Sequence, residues 1–372
     1  MSLAPAKVLV SAGEPSGDLL GGNLIEALHR LRPDLRFEGC GGPHMAAAGL
    51  EILFDISRLG AMGFLEVARA VPQHLRLQRE IVRRAVAGRY PLAVLIDYPG
   101  FHLRLGEALR RGGVPVLQYV APQLWAWRSQ RLPKLVRAVD RLAVVLPFEE
   151  AWFAERGVAA TYVGHPALDH RWPTAMEARA RLGLPPEVPV LGMFPGSRDA
   201  EIARNWSLFR DVASRISADG CCHSVIVAGT AGGYYPDATG MSVHRGSSDL
   251  VLAASTAVLV KSGTTTLEAA LAGVPMVVAY RTARTTYEIA RRMMTVPWIS
   301  LVNLILAEPL VPEFWRLPVN AVEVAERVRR LLDPSSPDAR VQRDGFQRLR
   351  ARLGPAGVSE RVAALALDLG RC

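Results

Sequence analysis

Short apolar runs alternate, along the first half of the chain, with stretches whose apolar residues recur at helical spacing. Lys7 to Val10, Pro91 to Asp97, Val114 to Val120, Arg141 to Pro147 and Thr161 to Val163 read as strands. Asp18 to Arg30, Leu103 to Arg111 and Glu149 to Arg156 read as helices. Alternation of this kind implies a parallel sheet covered by helices. The composition shifts at Gly164-His-Pro-Ala-Leu-Asp-His-Arg-Trp-Pro173, and with Pro185-Pro186 this marks an interdomain connection. The pattern then restarts. Val188 to Phe194, His223 to Ala228, Met241 to His244, Ala257 to Val260 and Pro275 to Tyr280 are expected strands, with helices beginning near Glu201, Ser248, Thr265 and Thr286. The fold class is therefore α/β, with two Rossmann-like, doubly wound domains facing across a cleft and ligands expected beyond the carboxyl ends of the strands. The expected boundaries are 1–168, 169–345 and a C-terminal helical segment, 346–372, packing back on the first domain.

Length supports two domains, because 372 residues exceed what one hydrophobic core usually serves. With 50% hydrophobic residues the chain can bury a large core, which excludes a disordered protein. The formal charge of +9 comes mostly from arginine, clustered at 69–89, 104–141 and 281–292. Nucleic acid, an anionic bilayer surface and phosphorylated small molecules all suit such surface, and solvated helix faces account for many of these residues. Four cysteines, Cys40, Cys221, Cys222 and Cys372, give neither C-x-x-C spacing nor a disulfide framework, so a reducing cytoplasm is expected. No signal peptide and no span of 18 apolar residues is found. The mean hydropathy of +0.15 keeps peripheral membrane association open.

Two glycine-bearing strand-to-helix turns stand out, Ser11-Ala-Gly-Glu-Pro-Ser-Gly-Asp18 and Lys261-Ser-Gly-Thr-Thr-Thr-Leu-Glu268. Small residues at such turns free backbone N–H groups at the positive end of a helix, where an anion can sit, although each turn alone could be plain punctuation. Phe194-Pro-Gly-Ser-Arg198 adds a turn, a capping hydroxyl at Ser197 and the planar cationic fork of Arg198, together suited to a diphosphate. Ser262, Gly263, Thr264, Thr265 and Thr266 supply further hydroxyls and open backbone, and Glu268, expected in the first turn, suits a ribose diol. Neither a Walker pattern nor a G-x-G-x-x-G fingerprint occurs, which weighs against an ATPase or a dehydrogenase. In the first half, Glu14 lies in the opening turn and Asp97 ends an apolar strand, where a carboxylate can act as a general base. His102 and His165 are further acid–base candidates, though a lone histidine is more often a packed structural residue. No histidine and carboxylate spacing suits a metal. Trp125 and Trp127 adjoin Arg128, Arg131 and Lys134, a pairing that can bind sugar rings, headgroups or bases. Leu59 to Val67, leading into arginines, has the composition of an interfacial element.

Taken together, these segments resemble the lipid-A-disaccharide synthase family over most of the chain. The resemblance rests on Ala12-Gly-Glu-Pro-Ser-Gly-Asp18, Gly41-Gly-Pro43, Met62-Gly63, Glu66-Val67, Ile96-Asp97, Tyr119-Val-Ala-Pro122, Trp125-Ala-Trp-Arg128, Leu146-Pro-Phe-Glu149, Gly164-His165, Pro195-Gly-Ser-Arg198, Ser262 to Glu268, Pro275-Met-Val-Val278 and Ser300-Leu-Val-Asn303. It implies a GT-B type enzyme without metal or other cofactor, transferring 2,3-diacylglucosamine from UDP to the 6-hydroxyl of 2,3-diacylglucosamine 1-phosphate with inversion. Asp97 is then the leading general base, with Glu14 as the alternative. Arg198, Ser197 and the turn from Ser262 to Thr266 would hold the diphosphate, Glu268 the ribose, and Asn303 would line the donor side. The implied setting is the cytoplasmic face of the inner membrane, bound peripherally to its anionic surface, and a homodimer is compatible with the sequence. Gly100, His102, Val302 and Lys261 depart from the family's usual aspartate, asparagine, proline and small residue. Competing expectations are another GT-B enzyme on a soluble nucleotide sugar, such as a UDP-N-acetylglucosamine 2-epimerase, and a non-catalytic basic module binding membrane or nucleic acid.

Overall fold

The computed structural model describes residues 6–56, 64–127, 129–282 and 284–370. The chain forms two compact units, one of Met1–Asp169 with Pro355–Cys372 and one of His170–Gly354. The first contains β1 (Lys7–Ser11), α1 (Pro15–Leu31), β2 (Arg36–Gly41), α2 (Pro43–Ala47), β3 (Leu50–Asp55), α3 (Phe64–Ala87) and β4 (Ala93–Ile96). It continues through α4 (Pro99–Arg111), β5 (Val116–Tyr119), α5 (Leu132–Ala138), β6 (Arg141–Val144), α6 (Glu149–Ala154) and β7 (Ala160–Tyr162). All strands pair in parallel in the order β3-β2-β1-β4-β5-β6-β7.

The second unit runs through α7 (Ala175–Leu182), β8 (Val190–Phe194), α8 (Asp199–Ala218), β9 (Ser224–Gly229), β10 (Met241–Arg245), α9 (Ser248–Ala254) and β11 (Ala257–Val260). Then follow α10 (Thr264–Leu271), β12 (Met276–Ala279), α11 (Arg284–Met293), α12 (Leu301–Leu306), β13 (Glu313–Phe314), α13 (Ala321–Leu332) and α14 (Pro337–Leu353). Its parallel sheet has the order β10-β9-β8-β11-β12-β13. The last helix, α15 (Val358–Gly370), belongs to the first unit and packs on α1, β5 and β6. Position 345, expected as a boundary, falls inside α14, and the chain leaves the second unit only at Gly354.

Each sheet is buried by the same logic. The central strands β4, β5, β8, β11 and β12 have every residue buried, so both faces need a helical cover. In the first unit Leu95, Leu105 and Phe153 sit in one core, and in the second Phe209, Leu259 and Val328 in another.

Three strands, β2, β3 and the two-residue β13, go beyond the elements expected from sequence. The Arg-Phe-Glu-Gly-Cys-Gly run of β2 carries two glycines, and the short apolar run of β3, Ile52 to Phe54, is flanked by Glu51 and Asp55 and stays only partly buried. Their place at the sheet edge is secured by α1. Gly21 brings α1 against α2: a Cβ there would stand 2.6 Å from the sulfur of Met45. Asp18 then serves as the cap of α2. Its Oδ1 accepts the N–H groups of Gly42 at 2.7 Å and Met45 at 3.1 Å, and its Oδ2 that of His44 at 3.0 Å. The Ser-Gly-Asp end of the first motif is thus structural.

Asp18 is buried, so Asp18→Ala strands three N–H groups. We expect a loss of about 1–3 kcal/mol in urea unfolding, and a shift of only a few tenths would show that water replaces the carboxylate.

Candidate active site

The strand orders place the candidate residues together in two groups. In the first sheet the chain order reverses between β1 and β4, and in the second between β8 and β11. Crevices form at such reversals because the crossovers on either side leave in opposite directions. Glu14 follows β1 and Asp97 follows β4, while Arg198 follows β8 and Ser262 to Glu268 follow β11.

At the first reversal the backbone is strained. Asp97 and Tyr98 are successive non-glycine residues at φ +49°, a conformation costing on the order of 1–3 kcal/mol per residue unless its surroundings enforce it. The surroundings do so. The Asp97 N–H donates to the carbonyl of Tyr119 at 2.9 Å. Its carbonyl accepts from Nδ1 of His102 at 2.7 Å and from Nε2 of Gln118 at 3.1 Å. A carbonyl only accepts, so Nδ1 of His102 carries the proton and Nε2 accepts from the Ser11 hydroxyl at 3.0 Å. Burial pushes the His102 imidazole down to about 4, which keeps it neutral. His102 is therefore a brace beneath Asp97 rather than the acid or base its residue type allowed. Tyr98 joins the two carboxylate-bearing loops, with its ring so close that a Cβ on Gly13 would lie 2.2 Å from it. Burial, and then the charge of Glu14, raise the Tyr98 phenol. Asp97 and Glu14 are both half-buried.

At the second reversal a cavity of about 360 Å³ opens. Gly196 and Ser197 line it after β8, Gly229 and Thr230 at the end of β9, Gly246 and Ser248 after β10, and Lys261 to Thr265 with Glu268 after β11. No side chain caps α10, whose N-cap is Gly263 at φ +151°. Glu268 sits in the second turn of α10, one turn later than expected, yet reaches the cavity. Burial raises its carboxyl, against the Thr265 hydroxyl that lowers it. The Thr230 hydroxyl oxygen is buried in this wall without a hydrogen-bond partner among the described residues. Arg198, exposed at the N-cap of α8, stands on the same turn as Ser197. The Ser197 hydroxyl does not cap that helix; instead its backbone N–H donates to Oε2 of Glu201 at 3.2 Å.

Other candidates serve as scaffold. The Thr266 hydroxyl is fully buried, donating to the Gly263 carbonyl at 2.8 Å and accepting from the Leu301 N–H at 3.3 Å. The Ser262 hydroxyl donates to the Ile299 carbonyl at 2.6 Å. Asn303, expected on the donor side, is fully buried: its amide nitrogen donates to the Val311 carbonyl and to Glu313, and its oxygen accepts from the Val311 N–H. The Trp125 indole donates to Glu149 at 2.8 Å, while the other carboxyl oxygen of Glu149 accepts from the Val145 and Leu146 N–H groups. Burial pushes Glu149 up to about 7. Trp127 is exposed, and Arg128 lies outside the described residues. His165 caps a short turn by accepting the Ala167 N–H, and burial lowers it to about 4. The segment Leu59 to Gly63 lies outside the described residues, as do the side chains of Phe64 to Val67. Among the described residues no group of three His, Cys, Asp or Glu side chains could hold a metal ion, and no helix is long and apolar enough to cross a membrane.

Sequence reasoning missed Gln118, Glu201, Thr230, Gly246 and Ser248. Gly229-Thr230 and Gly246-Ser-Ser248 at strand ends carried a signal, whereas nothing in the order of residues marked Glu201 or Gln118.

The match to known proteins covers both groups. The family model for lipid-A-disaccharide synthetase matches residues 8–364. The chain belongs to the lipid-A-disaccharide synthase family. Relatives of that name include one from Myxococcus xanthus, 38% identical with 98% of each chain covered, and one from Geobacter metallireducens, 38% identical with 99% of each covered. Among solved structures, the calicheamicin glycosyltransferase CalG4 superposes with a TM-score of 0.61 at 18% identity, covering 98% of this chain and 99% of its own. That likeness shows the two-domain GT-B fold. Membership of the lipid-A-disaccharide synthase family makes the chain a glycosyltransferase of lipid A biosynthesis, working between a nucleotide-sugar donor and a lipid-sugar acceptor. It disfavours both the soluble-sugar epimerase and the non-catalytic basic module.

Neutral His102 makes stability depend on pH with a definite sign. Its native value of about 4 lies below the ordinary 6.5, so between the two the unfolded chain takes a proton that the folded one refuses. Stability should therefore fall, by roughly 1.4 kcal/mol per pH unit from this group, as pH drops from about 6.5 toward 4. His165 adds to that slope, and Glu149, raised to about 7, opposes it over the same range. Comparing wild type with His102→Asn by urea unfolding isolates the term, and parallel pH curves would show that the imidazole is not buried neutral.

Proposed function

We propose that the chain transfers 2,3-diacylglucosamine from its UDP derivative to the 6-hydroxyl of 2,3-diacylglucosamine 1-phosphate, inverting the anomeric centre and releasing UDP. The observation that carries this reading is the family match over residues 8–364, in a chain whose rim residues sit at both strand-order reversals. Asp97 takes the proton of the attacking hydroxyl, the new C–O bond forms at the anomeric carbon, and the bond to the diphosphate breaks with its electron pair leaving on UDP. Glu14, on the neighbouring loop, orients the acceptor or shares the base role. Arg198, the Ser197 turn and the backbone of Gly263 to Thr265 offset the charge that develops on the leaving diphosphate. Glu268 holds the ribose diol. Burial raises the Glu268 carboxyl, and beside a buried carboxyl a hydroxyl-rich partner costs less than an anionic one, which supports its placement at sugar rather than phosphate.

A neutral, braced His102 supports the assignment to Asp97. It holds the peptide while adding no positive charge that would lower the basicity of the neighbouring carboxylate. The acyl chains require an apolar or membrane environment. The arginines of α3 support binding at an anionic surface, since Arg76, Arg79, Arg83 and Arg84 are exposed on it. We place the enzyme peripherally on the cytoplasmic face of the inner membrane.

Incubation of the purified protein with both acylated substrates should yield a disaccharide 1-phosphate and UDP by mass spectrometry, and no product in detergent would refute the activity. Asp97→Asn should lower kcat by about 10²- to 10⁴-fold with UDP affinity retained. Near wild-type turnover in that variant would remove Asp97 from the base role. Sedimentation with anionic vesicles at low salt should carry the protein down and release it at high salt, whereas equal binding to neutral vesicles would refute charge-driven attachment.

A further inference from the structure

Lys261 lines the donor cavity of the second unit and has no part in the reading above. It directly follows β11, with its N–H donating to the carbonyl of Phe194, the last residue of β8, at 2.9 Å. Its ammonium lies 3.8 Å from where a Cβ of Gly263 would stand, over the open backbone of the α10 turn. In the structure that ammonium is engaged by Glu201, Nζ to Oε1 at 2.9 Å, and the other oxygen of the same carboxylate accepts the Ser197 N–H. The pair is largely shielded, with side-chain exposures of 21% for Lys261 and 15% for Glu201. Glu201 thus makes two contacts that a phosphate oxygen would make: one to a cation and one to a turn N–H.

We propose that Lys261 is a ligand of the donor's diphosphate, and that Glu201 is an internal anion occupying its place until the nucleotide arrives. This rests on the donor-site reading above. On binding, the ammonium exchanges the singly charged carboxylate for an oxygen of the diphosphate, a group that carries more charge in total and would lie against the same backbone N–H groups. Burial would raise the Glu201 carboxyl, but Lys261, the Ser197 N–H and nearby Arg198 more than offset it, so the group stays a competing anion at neutral pH. A lysine that merely braced the loop through Glu201 would need that carboxylate; a lysine that binds the nucleotide is held back by it. The two roles predict opposite signs for one substitution.

The test is UDP and uridine affinity by calorimetry for wild type, Lys261→Met and Glu201→Gln. Glutamine keeps an oxygen for the Ser197 N–H while removing the charge. Lys261→Met should weaken UDP about tenfold and leave uridine unchanged, since uridine has no phosphate. Glu201→Gln should tighten UDP about two- to fivefold, the strength of a partly exposed ion pair released. Unchanged UDP affinity in Lys261→Met, or weakening in both variants, would overturn the proposal. If wild type itself fails to bind UDP, the donor-site reading falls and takes this one with it; wild-type binding with an indifferent Lys261→Met removes Lys261 alone.

Discussion

Parallel strands joined by right-handed crossovers bring every strand's carboxyl end to one edge of its sheet, and the placement of all other groups depends on that constraint. Strands buried on both faces leave no room for polar chemistry along their length. Function is driven to the loops that follow them, above all where the strand order reverses. In the first unit this selects the loops after β1 and β4, and in the second those after β8 and β11. The two units repeat one topological device with different chemistry, carboxylates in the first and cations with hydroxyls in the second.

Within those loops, chemistry and support are divided residue by residue. Asp18 lies four positions from Glu14, yet it spends its carboxylate on the N–H groups of α2. Thr266 lies in the same turn as Thr264 and Thr265, yet it is sealed between the Gly263 carbonyl and the Leu301 N–H. Trp125 and Glu149, from two separate motifs, are partners in one buried hydrogen bond, so each motif accounts for the other. A motif in this chain is a loop shape together with the few side chains that the shape presents.

Much of this was legible in the order of residues. Long apolar runs such as Val188 to Phe194 and Ala257 to Val260 announce buried strands, and the residues that follow them announce a rim. Legibility ended where a contact joins distant positions. Cys40 and Gly41 reveal a strand only through pairing with β1 and β3, because glycine removes the apolar signal. The histidine at position 102 looks like chemistry until burial and two hydrogen bonds make it a prop. Asn303 looks like a ligand until Val311 and Glu313 use up its amide. Glu201 lies 60 positions from Lys261 and carries no local mark of its partner.

Asp169 ends the chain's first passage through the first unit, and its carboxylate accepts the N–H groups of Gly357, Val358 and Ser359, where the returning chain starts α15. That one side chain ties the outgoing and incoming strands of polypeptide. Because α15 packs on α1, the first unit is closed only by a segment that follows the second unit in sequence. Its last contacts therefore close a loop that spans the whole second unit, whereas the second unit is one continuous segment and needs no such closure.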